Sequence, residues 1–198
     1  MQHDGLDLYL GLPATLEDRY LPILPWLATP QMQAAFEANS PGSHSIPGIA
    51  YNLNAPGFAP DDVLGLPNDA LVRAQGQASA GAVGSARGLA SMYAAAISEI
   101  GGRAPLLEPD TLAAFTTLQT TGHDLVRSDR APYLVGFEAK GLIHPLLGAS
   151  AFGHAGADGF ADPHSGLAYG YTRRRAAFGF TAPENERLTA ILLRCARG

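Results

Sequence analysis

Cysteine occurs once in these 198 residues, at Cys195, and lysine once, at Lys140. A single thiol closes no internal disulfide, so the fold must hold by packing; set in an amphipathic stretch, Cys195 reads as a buried, inert side chain. Charge is sparse at 16%, with a net formal charge of -5, and Arg173, Arg174 and Arg175 make the only basic run. That balance offers no broad attraction for phosphate backbones and excludes nucleic acid as a partner. No apolar stretch approaches the ~18 residues a membrane span requires. The opening MQHDGLDLYLGLP lacks a positively charged start followed by an apolar core, so nothing marks secretion and a cytoplasmic location is favoured. No repeat of fixed period is visible, which excludes a solenoid or propeller.

What is present is an apolar share of 46% over a length that suits one domain with a sizeable core, residues 1–198. Prolines at 13, 22, 25, 30, 41, 47, 56 and 60 interrupt every candidate element in the first third. Short helices fit between them: one begun by Pro13 and running through Leu16 and Glu17 towards Tyr20, another begun by Pro30 over Gln31 to Ala38 with Met32, Ala35 and Phe36 on one face. From Ser85 the apolar spacing becomes helical through Leu89, Tyr93, Ala96, Ile97 and Ile100, with Ser85 placed to cap and Gly101-Gly102 to stop. A shorter helix after Pro109 should turn Leu112, Phe115 and Leu118 inward. Then the pattern changes to three strands, Tyr133 to Glu138, Ser150 to Gly153 and Leu167 to Arg173, whose short connections make them antiparallel. Pro183-Glu184-Asn185-Glu186 opens a closing helix with Leu188, Ile191, Leu192 and Cys195 as its apolar face. Helices, strands and a last helix in that order make an α+β fold.

The chemistry-bearing segment is AFGHAGADGFADPHSGLAYGYTRRR, Ala151 to Arg175, in which a strand meets a glycine-rich edge, a tight turn and a second strand. Read from residues alone, Asp162 initiates the Asp-Pro turn, Tyr169 and Tyr171 share a strand face and pack there, and Arg173 to Arg175 make a solvated strand end. A lone histidine such as His154 in a glycine-rich turn is ordinarily a packing or surface residue.

Gly153-His154-Ala155-Gly156-Ala157, then Phe160-Ala161-Asp162-Pro163 with Gly166-Leu167 and Tyr171, resemble the site-wall strand and following turn of class C-like β-lactamases and family VIII esterases. Upstream, Leu10-Gly11-Leu12-Pro13 and Gly84-Ser85-Ala86-Arg87-Gly88-Leu89-Ala90 with Tyr93-Ala94-Ala95 resemble the family in the same order. The chain thus resembles the C-terminal portion of the serine β-lactamase/penicillin-binding-protein superfamily. The implied fold is β-lactamase/transpeptidase-like: helices packed on an antiparallel sheet, incomplete, with about three strands and the closing helix. The implied activity is hydrolysis of a small-molecule ester or amide through an acyl-enzyme, without cofactor. By the same resemblance, His154, Ala155, Gly156 and Ala157 form the substrate-binding wall. Ala157 offers a backbone N–H to the carbonyl oxygen, Gly156 admits the substrate close to the strand, and His154 stands where the family places a cation or donor.

Two departures follow. The family's nucleophile is a serine followed three residues later by lysine, and Phe137 stands three before the only lysine, so no Ser-x-x-Lys lies in the chain. Tyr51-Asn52-Leu53-Asn54 has the wrong spacing for the tyrosine motif. Between Ala157 and Phe160 stand only Asp158 and Gly159, about three residues fewer than the family pattern, and a one-residue slip reverses which side chains face the site. Other chemistries fit less well. Gly84 to Gly88 and Gly148 to Phe152 fail the G-x-S-x-G elbow, Gly153 to Gly159 fails the dinucleotide fingerprint, and His154, Asp158, Asp162 and His164 match no zinc or calcium spacing. The alternative from another class is a truncated, non-enzymatic module that keeps the fold for binding. In either case a missing half should leave sheet edge and apolar helix face uncovered.

Overall fold

The computed structural model describes residues 6–56, 65–78, 81–127, 132–154, 158–178 and 183–197. In it, six strands and seven helices follow one another: β1 (Leu8–Leu10), α1 (Pro30–Ala38), α2 (Ile46–Ala50), α3 (Ala70–Gln75), β2 (Ala82–Gly84), α4 (Ala86–Ile97), α5 (Pro109–Phe115), β3 (Glu138–Ala139), α6 (Lys140–Ile143), β4 (Phe152–His154), β5 (Gly159–Asp162), β6 (Leu167–Gly170) and α7 (Pro183–Arg197). The expected α+β class is what the chain adopts. Antiparallel β1 and β2 form a two-stranded sheet, and β3-β4-β5-β6 form a four-stranded antiparallel one.

The larger sheet is the middle of three layers. Because neighbouring residues of a strand point to opposite faces, Phe152 and Ala161 turn one way and Ala151, Phe160 and Tyr169 the other. The first set joins Tyr93 and Ala96 of α4, with Leu112, Phe115 and Phe137 packed alongside. The second meets Leu147 and Leu193 of α7. Helix α4 comes very close to the sheet, which is possible because β5 and β6 offer glycine there. A Cβ on Gly170 would run into the backbone of Ala86 and Ala90, and one on Gly159 into Tyr93.

Capping follows the sequence. Ser85 accepts from the Gly88 N–H to start α4, Thr29 from Met32 to start α1, and Asp69 from Leu71 and Val72 to start α3. The stretch after Pro13 is a 3-10 helix over Ala14–Arg19. It is held by an ion pair between buried Arg73 and the partly exposed Glu17, and Arg73 also lies over the Tyr20 ring at 3.9 Å. Trp26, Phe36 and Phe178 make a separate three-ring cluster, with centroids 5.2 to 5.6 Å apart.

Several expectations need correction. Gly159–Asp162 is a strand that sequence reading left inside the turn region, so the sheet has four strands rather than three. Its four residues are all buried, and burial on both faces erases the alternation that betrays a strand. The expected strand Tyr133 to Glu138 is instead a tight reversal: Leu134 donates to the Phe137 carbonyl, Gly136 has φ +76°, and Tyr133 bridges Glu138. Helix α4 ends at Ile97, and Gly101-Gly102 turn the chain between Ile100 and Arg103 rather than stopping a helix. Leu118 is 40% exposed, beyond the end of α5. Cys195 is exposed rather than buried, because α7 turns Asn185, Thr189 and Leu193 to the sheet and leaves Leu188, Ile191, Leu192 and Cys195 outward. Arg173, Arg174 and Arg175 are not merely solvated. Arg173 pairs with Glu184 at 2.8 Å, Arg174 donates to the Pro22 carbonyl and Arg175 to that of Pro25. Together with the Leu24–Arg175 bridge, these contacts fasten the N-terminal stretch to the chain beyond β6.

Candidate active site

Strand β4 delivers the segment expected to carry the chemistry. Phe152 is buried in the core, Gly153 follows, and exposed His154 ends the strand opposite Gly159. Gly153 has to be glycine because a Cβ would press on the Gly159 carbonyl and the Phe160 side chain. The pair β4–β5 is therefore closely drawn together at the point where the wall begins. Of the four expected wall residues the structure places His154; Ala155, Gly156 and Ala157 lie outside the described residues.

Where the chain is described again, Asp158 has φ +45°, a left-handed conformation that aspartate tolerates better than most side chains, and is 7% exposed. Its carbonyl accepts from the Tyr171 N–H at 2.9 Å, while its carboxylate receives the Lys140 ammonium at 3.2 Å. Lys140 Nζ also lies 3.0 Å from Glu138 Oε2, and the other oxygen of Glu138 takes Arg127 at 3.1 Å. Two cations and two carboxylates thus meet beside the end of β4. Lys140, Glu138 and Asp158 are buried and mutually neutralising, as charges withdrawn from water must be.

Burial by itself pushes the Glu138 carboxyl up, but the Lys140 ammonium and the Arg127 guanidinium outweigh it and hold Glu138 below the usual carboxylate range. The Tyr93 hydroxyl reaches the His154 backbone from α4; burial, then the charges of Asp158 and Glu138, push its pKa well up and keep it protonated. Burial also lowers His144, with Lys140 adding to the effect, so its ring is neutral at pH 7. Sequence reading missed this cluster. Its signal was Glu138-x-Lys140 in the otherwise apolar Val135 to Ile143, two opposite charges at the two-residue spacing that puts side chains on one face of a strand.

The other expected roles fall out plainly. Asp162 is structural: 1% exposed, it accepts from the His164 N–H, the Ser165 hydroxyl and the Gly148 N–H, so it shapes its own turn and ties it to the segment before β4. Tyr169 and Tyr171 share a face as expected and donate to Asn185 and Glu184 of α7. Burial, followed by the charge of Asp158, raises the Tyr169 hydroxyl to about 12. No described helix is long and apolar enough to cross a membrane.

No protein-family model and no curated protein matches the chain. Solved structures do. EstA from Arthrobacter nitroguajacolicus Rue61a is similar over 98% of this chain and 50% of its own, at TM-score 0.81 and 32% identity. A family VIII carboxylesterase is similar over 96% and 47%, at 0.69 and 25%. A penicillin-binding-protein homologue from Caulobacter crescentus is similar over 96% and 49%, at 0.58 and 29%. The chain spans about half the length of each of these proteins. With the ordered motifs and the three-layer arrangement, this likeness makes the chain a member of the serine β-lactamase and penicillin-binding-protein superfamily, spanning the C-terminal portion of its fold.

Proposed function

We propose that residues 1–198 form one domain portion that supplies the substrate-facing wall, His154 to Ala157, of an ester- or amide-hydrolysing site. Its serine nucleophile and the lysine three residues later come from outside these residues. The single observation that carries this reading is the likeness of nearly the whole chain, 98%, to one half of an EstA. A sequence without Ser-x-x-Lys adds the second part.

In the completed site the serine oxygen attacks the carbonyl carbon of a small-molecule ester or amide, the alcohol or amine leaves, and water releases the acyl group. By the same resemblance, the backbone N–H of Ala157 is the donor that meets the oxygen as it becomes negative. His154 orients the substrate from the end of β4, and the Lys140–Asp158 contact holds Asp158 just ahead of β5. The ion cluster is not itself reactive, since each of its charges is already engaged.

The test is to read the coding sequence ahead of Met1. An in-frame Ser-x-x-Lys followed by a tyrosine motif, in a polypeptide that hydrolyses p-nitrophenyl esters and loses that activity on Ser→Ala, supports the reading. A stop codon and promoter there favour a non-enzymatic module.

A further inference from the structure

A recess of about 460 Å³ opens at the outer edge of β3, lined by Thr120, Thr121, Gly122, His123, Asp124 and Tyr133. Small-molecule sites have volumes of this order. Tyr133 is fixed at both ends. Its backbone bridges Thr120 on one side and Glu138 on the other, and its hydroxyl accepts from Arg127 at 3.4 Å. The Thr120 hydroxyl accepts from the Tyr133 N–H at 3.2 Å, and Asp124 Oδ1 accepts from the N–H groups of Val126 and Arg127 at 2.7 and 2.9 Å. An aromatic ring, a carboxylate and a threonine pair are thus set around one space before a ligand arrives, which lowers the entropic cost of binding.

The recess is a neighbour of the wall. Tyr133 pairs with Glu138 and Glu138 with Gly153, so β4 lies two strand spacings away, about 10 Å. The β3–β4 ladder ends at that Glu138–Gly153 pair, one residue before His154. An ester with a ring-sized substituent covers such a span.

The lining selects among ligands by charge and by hydrogen bonding. The N–H groups of Arg127 and Val126 hold the Asp124 carboxyl below its ordinary 3.8, so it is ionised at pH 7. An anion meets that carboxylate. A cation meets Arg127, which stands behind it with its guanidinium on Glu138 at 3.1 Å. A neutral ligand rich in hydroxyls meets neither obstacle. Exposed Thr121 both donates and accepts, the His123 ring adds a further polar edge, and Asp124 accepts from hydroxyls. Tyr133 supplies an apolar face beside them. A ring that is apolar on its faces and hydroxylated round its rim has the complementary pattern.

We propose that this recess binds a pyranose, and that the ester taken by the completed site carries one. The second clause rests on the hydrolytic reading and the first does not.

The experiment titrates the full chain with the methyl β-pyranosides of glucose, galactose and xylose, following the amide NMR signals of the chain. The expected result is saturable binding of at least one glycoside, with shifts centred on Thr120 to Asp124 and Tyr133. Asp124→Asn, which keeps an oxygen for Val126 and Arg127, weakens that binding about tenfold, and Thr121→Val about fivefold. Thr121 is exposed, so the second variant keeps the unfolding midpoint of the parent and isolates the loss of one hydroxyl. No saturable shift with any of the three glycosides overturns the proposal, as do shifts centred elsewhere or binding indifferent to both variants. Equal binding of cyclohexanol overturns it in favour of an apolar ring, and binding of tetramethylammonium in its place overturns it in favour of a cation. Glycoside binding by a chain whose complete polypeptide hydrolyses no ester leaves the recess standing and removes the hydrolytic reading. Ester hydrolysis without glycoside binding does the reverse.

Discussion

Lys140 lies between Glu138 and Asp158 with its side chain 3% exposed, so its removal leaves two carboxylates facing each other out of water. Breaking one partner out of a buried ionic group costs about 3–5 kcal/mol, and Lys140→Met should lower stability by that amount in urea unfolding. An unchanged midpoint would show that water reaches the cluster. Stability should also fall in two steps on acidification. His144 is depressed below its ordinary 6.5 in the fold, so the unfolded chain takes up a proton first and stability declines as pH drops below that value. Glu138, held below 4.5, gives stability that is complete above 4.5 and is lost as pH falls through its lower folded value. Midpoints measured across pH for His144→Gln should lack the first step and keep the second. At this scale Asp162 was legible, because an Asp-Pro turn has a local cause. The ion cluster was not, since Asp158 and Lys140 are 18 residues apart and meet only through strand pairing.

At the scale of elements, α7 separates what is apolar from what is buried. Leu193→Ala should cost about 2–5 kcal/mol, the range for truncating a core leucine, whereas Ile191→Ala should stay within about 0.5 kcal/mol. Equal losses at both positions would mean that the exposed stripe is covered in the isolated chain. Thr189 is buried on the inner face with its hydroxyl unpartnered among the described residues. Thr189→Val removes that burden at nearly constant volume and should raise the melting temperature by about 2–4 °C per kcal/mol recovered. Periodicity located α4 and α7 because their spacing is long and regular, but it could not say which stripe of α7 meets the sheet. Asn185 and Thr189 are polar and are buried because Tyr169 and the sheet stand over them, a tertiary fact absent from any window of sequence. Strand β5 escaped for the opposite reason, being buried on both faces.

At the scale of the whole molecule, the N-terminal third was the least legible part. Its elements are short and proline-bound, and they depend on distant partners: Asn68 takes the Tyr20 hydroxyl and the Ile23 N–H, and Arg174 and Arg175 grip Pro22 and Pro25. The order of motifs from Leu10 to Tyr171 did identify the superfamily, because an ordered series survives where each piece is weak. Composition could not reveal the division of labour now proposed, in which this chain brings the substrate-facing wall, with a buried ion cluster beside the end of β4, and the nucleophile lies elsewhere. The most direct measurement of that claim is intact mass spectrometry of the purified chain after exposure to a fluorophosphonate, which labels an activated serine. The account predicts unmodified chain under conditions that fully label a serine esterase run as positive control. One phosphonyl group per chain, on a serine of these 198 residues, would contradict it.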